Sequence, residues 1–274
     1  MCDNQIRIDS LQWSVPVWCL RFIIALQCCG TARLFVLTEF ERESDVFGLL
    51  AFDWGWSEPL AQSIDDWGTW LNLAAGLGVL LIPAILRIQR FAIWLSLQIP
   101  VLTYVALWQF LLAATHAYRG GSFLAEWSIA SQAVRFAAPI ALILMLPSRK
   151  NRGLSARRMN LALWTMRLAA AATFVGHGLA AIKHDGNFVD LVIGSGQTLL
   201  GWTAGQAGVE VALTVIGVVD LIVALLLVLF RSRWIVGYMA VWGFLTAASR
   251  MTSMGWGYYG ETLLRAANGG LPLV

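Results

Sequence analysis

The stretch VALTVIGVVDLIVALLLVLF, residues 211–230, carries one ionisable side chain, Asp220, in twenty positions. A helix of that length, at about 1.5 Å rise per residue, matches the hydrocarbon thickness of a bilayer. Irregular backbone finds no hydrogen-bond partner in lipid, so such a run crosses only as a helix. Comparable runs recur over roughly 13–37, 67–86, 91–115, 129–147, 160–182, 207–230 and 234–250. An eighth starts near Tyr258 and is still helical in character at ETLLRAANGGLPLV.

Composition points the same way. The chain of 274 residues is 58% hydrophobic and only 13% charged, with a mean hydropathy of +0.69. Soluble domains carry about a quarter charged residues, so an integral membrane protein is expected. Fourteen tryptophans suit the headgroup level, where the indole body and its N–H donor are both satisfied. The N-terminus, with Asp3 and Asp9 and no basic lead-in, reads as a retained first helix rather than a signal peptide. Cys2, Cys19, Cys28 and Cys29 have no CxxC spacing, so the adjacent pair reads as apolar filler.

Loop charges set the expected orientation. Arg87 and Arg90, then Arg149, Lys150, Arg152, Arg157 and Arg158, then Arg231 and Arg233 occupy three loops without an acid. Loop 38–66 is acidic, with Arg42 its single basic residue. Basic loops stay in the cytoplasm, which places the N-terminus there and the acidic loop outside. The segment FGLLAFDWGW within that loop, and the connection from 185 to 206, read as interfacial segments covering the mouth of a helix bundle. Nothing in the basic runs points to nucleic acid; the expected partners are the bilayer and other membrane subunits.

The two halves of the chain align. VWCLRFIIALQCCGTARL (17–34) matches LWTMRLAAAATFVGHGLA (163–180), setting Trp18 on Trp164, Arg21 on Arg167 and Gly30 on Gly176. Asn72 falls on Asp220, His116 on Arg250 and Arg135 on Arg265. The expected fold is all-α: about eight transmembrane helices in two repeated four-helix bundles, 1–148 and 160–274, joined by a basic linker at 149–159. An even number of spans per unit makes the repeat parallel, about an axis along the membrane normal.

Arg167, Phe174 seven residues later, the GHG at Gly176–Gly178 and the polar loop that follows resemble the first helix of the DoxX-like four-helix membrane family. Glu210 or Asp220 in the next helix, and Arg231 with Arg233 before the third, are similar to that family too. The resemblance covers 160 to about 268, and the first half through the repeat. It implies a bacterial inner-membrane protein linked to quinone or thiol redox chemistry at the outer face. The first half departs from it: Thr31 stands where His177 would fall, and Arg33 follows two residues on.

Charges inside a bilayer cost about 2.5–3.5 kcal/mol each on insertion scales, so they face the bundle and seek partners. Counted from the basic side, Arg167 and Asp220 lie at similar depths, which predicts an interhelical ion pair between them that fixes packing. His177 is the candidate for a quinone headgroup, with Arg167 and Asp220 in support. The structural alternative for His177 is donation to a backbone carbonyl of a neighbouring helix. Haem ligation by His116 and His177, or a metal site from these with His184 and Asp185, are further options. His184 marks the end of its helix. No phosphate cradle, HExxH or nucleophile–base–acid set is readable, so no catalytic residue is assigned. The leading functional expectation is an accessory subunit of a respiratory or photosynthetic electron-transfer complex, docking through Trp-rich and small-residue faces. A DoxX-like quinone-linked oxidoreductase component is the alternative, and a small-molecule transporter the third.

Overall fold

The computed structural model describes residues 14–38, 43–85, 91–120, 124–146, 155–202 and 205–274. Cys2, Asp3, Asp9, Arg42, Arg87, Arg90, Arg149, Lys150 and Arg152 lie outside the described residues. Every regular element among the described residues is a helix. Five helical segments are long and apolar enough to cross a membrane: Val15–Phe35, Leu97–Arg119, Ala125–Met145, Ala156–Ile182 and Gln206–Leu229. The protein is thus an all-α protein of membrane type.

α1 (Val15–Phe35) starts at a proline, whose missing N–H is no loss in a first turn. α2 (Asp45–Gly48) is capped by the Ser44 hydroxyl and runs on into a π turn, Leu49–Asp53. α3 (Glu58–Ile85) and α4 (Phe91–Arg119) follow. A 3₁₀ turn at Ala125–Trp127 then leads into α5 (Ser128–Ser131) and α6 (Ala133–Met145). α7 (Ala156–Ile182) is capped by Ser155, and α8 (Gly186–Leu200) by Asp185, whose carboxylate accepts from the Asn187 N–H at 3.0 Å. α9 (Gln206–Leu229) and α10 (Arg233–Met254) precede a second 3₁₀ turn, Trp256–Tyr258, then α11 (Tyr259–Leu264) and α12 (Ala266–Leu273).

Several boundaries differ from expectation. α3 begins at Glu58 rather than near 67, because its charged first turns continue the helix beyond the apolar stretch. The expected loop 38–66 therefore contains helix, and Asp45 and Asp53 in it bind His116 and Arg119 at the end of α4, at 2.7 and 2.6 Å. The 185–206 connection contains a fifteen-residue helix, α8, packed on α10. The fourth and eighth apolar runs are broken, at Gln132 (φ −107°, ψ 7°) and Arg265 (φ −95°, ψ 8°).

One core runs across both halves. Leu20 and Ile24 of α1, Val134, Ala138 and Leu142 of α6, Ala170 and Phe174 of α7, and Ala267 and Leu271 of α12 form a single buried cluster. Lipid tails are as apolar as these side chains, so helices in a bilayer associate through close packing rather than through apolar burial. Glycines set the closest approaches. α7 and α9 cross with Gly178 facing Gly217, each backbone where the other's Cβ would stand. Gly30 of α1 lies against the backbone of Gly260 and Leu264, and Gly176 of α7 against Ser131. Each long first helix is therefore wedged by the broken segment that ends the opposite half.

Gly30→Val is expected to destabilise the fold by about 3 kcal/mol or more, since backbone and not a flexible side chain occupies the space. Thermal unfolding in detergent checks this. Gly257→Ala, which meets open space, should leave the midpoint unchanged.

Candidate functional site

The two arginines that the sequence alignment of the halves sets together, Arg21 and Arg167, have different surroundings. Arg21 is 1% exposed and donates to the Val79 carbonyl at 2.7 Å and to Gln98 Oε1 at 2.9 Å. Arg167 is half-buried; it donates to the Phe230 carbonyl at 3.2 Å, in an exposed hydrogen bond, and lies over the Trp164 ring at 5.2 Å. It lines a cavity of about 370 Å³ with Arg231 and Arg233, at the end of the bundle where α7 begins. The expected Arg167–Asp220 ion pair is not formed. Arg167 is level with Phe230, ten residues beyond Asp220 on α9, which at 1.5 Å per residue is about 15 Å. Asp220 instead stands opposite Gly178, eleven residues along α7 from Arg167. The depth comparison failed because it took the start of α7 and the end of α9 as level, whereas Arg167, eleven residues into α7, is level with Phe230 at the end of α9.

Asp220 and His177 do come together. Both line a cavity of about 250 Å³ enclosed by α7, α8, α9, α10 and α12. Its walls are mostly apolar, from Phe174, Leu191, Val192, Leu213, Ile216 and Leu245. Trp242 lies against Asp220, which is 4% exposed and whose Oδ1 has no partner. Asn268 Oδ1 in the same wall is also buried and unpartnered.

His177 makes no hydrogen bond among the described residues, so the backbone-carbonyl role is not observed. Its ring instead meets Phe188 edge to face, with centroids 6.0 Å apart and planes at 76°. The guanidinium of Arg250 lies on Phe188 as well, 5.9 Å from the ring centre. α8, capped at Asp185, is the element that holds Phe188 in that position.

A second chamber, of about 560 Å³, shares His177, Phe188, Leu191, Arg250 and Arg265 with the first and adds Arg135, Asp185 and Glu261. It lies at the end of the bundle that also carries His116 and Tyr258. Arg135 comes from the first half, placed by the break at Gln132 and by the Gln27 amide, which donates to the Arg135 carbonyl at 2.8 Å. Arg265 sits at the corresponding break and pairs with Glu261.

The other histidines are engaged elsewhere. His116 is paired with Asp45, and His184, in the left-handed region at φ 55°, contacts the Thr214 hydroxyl at 2.8 Å. His184 does follow the end of α7, as expected. No three His, Cys, Asp or Glu side chains gather as a metal-ligand set among the described residues.

Of the three residues singled out in the sequence, His177 and Asp220 line one cavity and Arg167 lines another. Sequence reasoning did not place Arg135, Arg250, Arg265, Trp242 or Asn268 in the site. The signal available for the arginines was their place as lone charges in or beside apolar runs, at the positions that the alignment of the halves sets together, Arg135 on Arg265 and His116 on Arg250. No family model, curated protein or solved structure matches the chain.

Arg21→Gln is expected to cost about 1.5–3 kcal/mol, because the Val79 carbonyl and Gln98 lose a charged donor where no water replaces it. Arg167→Gln should cost less than about 1 kcal/mol, as its exposed bond is replaceable by solvent. Chemical unfolding of the two variants in one detergent compares them directly.

Proposed function

We propose that the chain is a bacterial inner-membrane component of an electron-transfer system that binds a quinone headgroup in the cavity around His177. The observation that carries this reading is a pair of buried oxygens without partners, Asp220 Oδ1 and Asn268 Oδ1, lining one apolar cavity together with the half-buried His177 ring. Buried polar groups without partners are rare and call for a ligand or ordered water. A quinone presents two carbonyl acceptors, which the His177 ring N–H and Arg250 match. Its reduced form presents two hydroxyl donors, which Asp220 and Asn268 match. Phe174, Leu191 and Val192 suit the ring and the start of an isoprenoid tail. Arg167, at the opposite end of α7, is left out of the site.

The same reading takes the chain as eight crossings in two DoxX-like four-helix units. Supporting it, Tyr104 stacks on Trp108 at 6.4 Å and 16°, and Tyr238 on Trp242 at 6.3 Å and 14°. These are positions that the repeat superposes. Arg21 over Trp18 and Arg167 over Trp164 form a second matched pair, at 5.8 and 5.2 Å. The two broken segments, each a 3₁₀ turn, a short helix, a break and a longer helix, form a third. Arg231 and Arg233 at one end and Asp45 and Asp53 at the other support a cytoplasmic basic end.

A second reading, the accessory subunit, draws on α9. Val211, Val215, Val218, Ile222, Leu225 and Leu229 are all exposed and spaced four and three apart. That is the seam a second helix packs into at a shallow left-handed crossing.

Protein purified in mild detergent should retain quinone, measured by solvent extraction and chromatography, and His177→Ala and Asp220→Leu should each lose most of it. No quinone in the wild type, or equal amounts in all three, would sink the proposal. Co-purification with a cytochrome complex that is abolished by Ile222→Arg would favour the second reading.

A further inference from the structure

We infer that the chamber at the Tyr258 end is a binding site for a phosphate-class oxoanion, held by the guanidinium groups of Arg135, Arg250 and Arg265. The chamber shares His177, Arg250 and Arg265 with the cavity of the quinone reading, but the inference does not depend on that reading. The three arginines come from three elements, α6, α10 and the break before α12, and line one chamber of about 560 Å³.

Their hydrogen bonds leave donors to spare. Arg135 is 9% exposed; it gives Nη1 to Gln132 Oε1 at 2.7 Å, while its buried Nε has no partner. Arg250 gives Nη1 to the Thr246 carbonyl at 3.1 Å and to the Ser249 hydroxyl at 3.3 Å. Arg265 gives Nη1 to the carbonyl and carboxylate of Glu261. Among the described residues Nη2 of all three is without a protein acceptor.

The charge balance has the same sense. The carboxylates lining the chamber are Glu261, already paired with Arg265, and Asp185, which caps α8. Arg135 and Arg250 have no carboxylate within ion-pair distance among the described residues. His116 also lines the chamber, with its Nδ1 at 2.7 Å from the Asp45 carboxylate. Three guanidiniums, that of Arg135 buried and that of Arg250 half-buried, thus share one chamber with two carboxylates that are both already engaged, an excess of positive charge that an entering anion would balance.

The geometry selects the kind of anion. A carboxylate has two oxygens in one plane and is saturated by one or two forks. Guanidiniums converging from three elements match the several directions of a tetrahedral oxoanion instead. That chemistry has two sources: the phosphate of an anionic lipid headgroup, reached from the membrane rim, and free inorganic phosphate.

The test uses the full chain in detergent. Inorganic phosphate should raise the unfolding temperature of the wild type and protect Arg250 from phenylglyoxal, mapped by peptide mass spectrometry, whereas chloride at equal ionic strength should do neither. Arg135→Gln and Arg250→Gln should each weaken apparent phosphate affinity about tenfold or more, the loss of one charge-assisted pair. Native mass spectrometry after adding phosphatidylglycerol identifies the lipid source if that lipid is retained by the wild type and lost from both variants. The protection assay needs no variant, so it stands even if a glutamine variant fails to fold. The inference is overturned if neither phosphate nor phosphatidylglycerol binds the wild type, or if both glutamine variants, eluting as the wild type does, bind equally well.

Discussion

Two helix crossings hold the rest of this structure in place: Gly30 of α1 against the backbone of α11, and Gly176 of α7 against α5. In a bilayer, apolar side chains gain nothing by leaving lipid for one another, so contact at short range has to supply the attraction. A glycine lets the two backbones meet, and the gain is the sum of many small dispersion contacts that any side chain would prevent. Because the partner in each crossing is a broken segment from the other half, the same contacts knit the halves into one core. They also carry the breaks, with Arg135 and Arg265 beside them, to the level of His177.

The breaks themselves connect packing with chemistry. An unbroken helix satisfies its own backbone and has no need of outside help in lipid. A helix interrupted at Gln132 or Arg265 frees backbone groups and reorients the next turn, and such irregular backbone is tolerated where it is buried in protein or lines a cavity. Here both interruptions sit at the chamber, as expected of backbone that lines a polar cavity. α8 completes the enclosure by holding Phe188 between His177 and Arg250.

The equivalent positions of the two halves show how similar helices come to differ in role. Arg21 lies in the core and is used for packing, with a carbonyl and an amide as acceptors. Arg167, which the alignment of the halves sets on it, is half-buried and makes an exposed bond at the end of α9. At the level of the cavity the contrast is reversed. Asn72, Thr31 and His116 in the first half are neutral or already paired, while Asp220, His177 and Arg250 in the second face open space. The cavity shared by His177 and Asp220 is thus lined by the second half, and the first half reaches only the adjoining chamber, through Arg135, Gln132 and His116.

How much of this was legible in the residues depends on the distance over which each feature is decided. Hydropathy over twenty residues determined the helical membrane class, since no other backbone satisfies itself in lipid. Glycine positions marked close approaches, and His177 and Asp220 stood out because charge in an apolar run is costly. The sequence could not say which helix lies beside which. It therefore paired Arg167 with Asp220 by depth alone, when Arg167 lies level with Phe230, about 15 Å along α9 from Asp220. It could not bring Arg135 to His177, because that contact follows from a crossing between opposite halves. Local composition decided what each segment is; only tertiary packing, fixed where backbones touch at Gly30 and Gly176, decided which polar groups share a cavity.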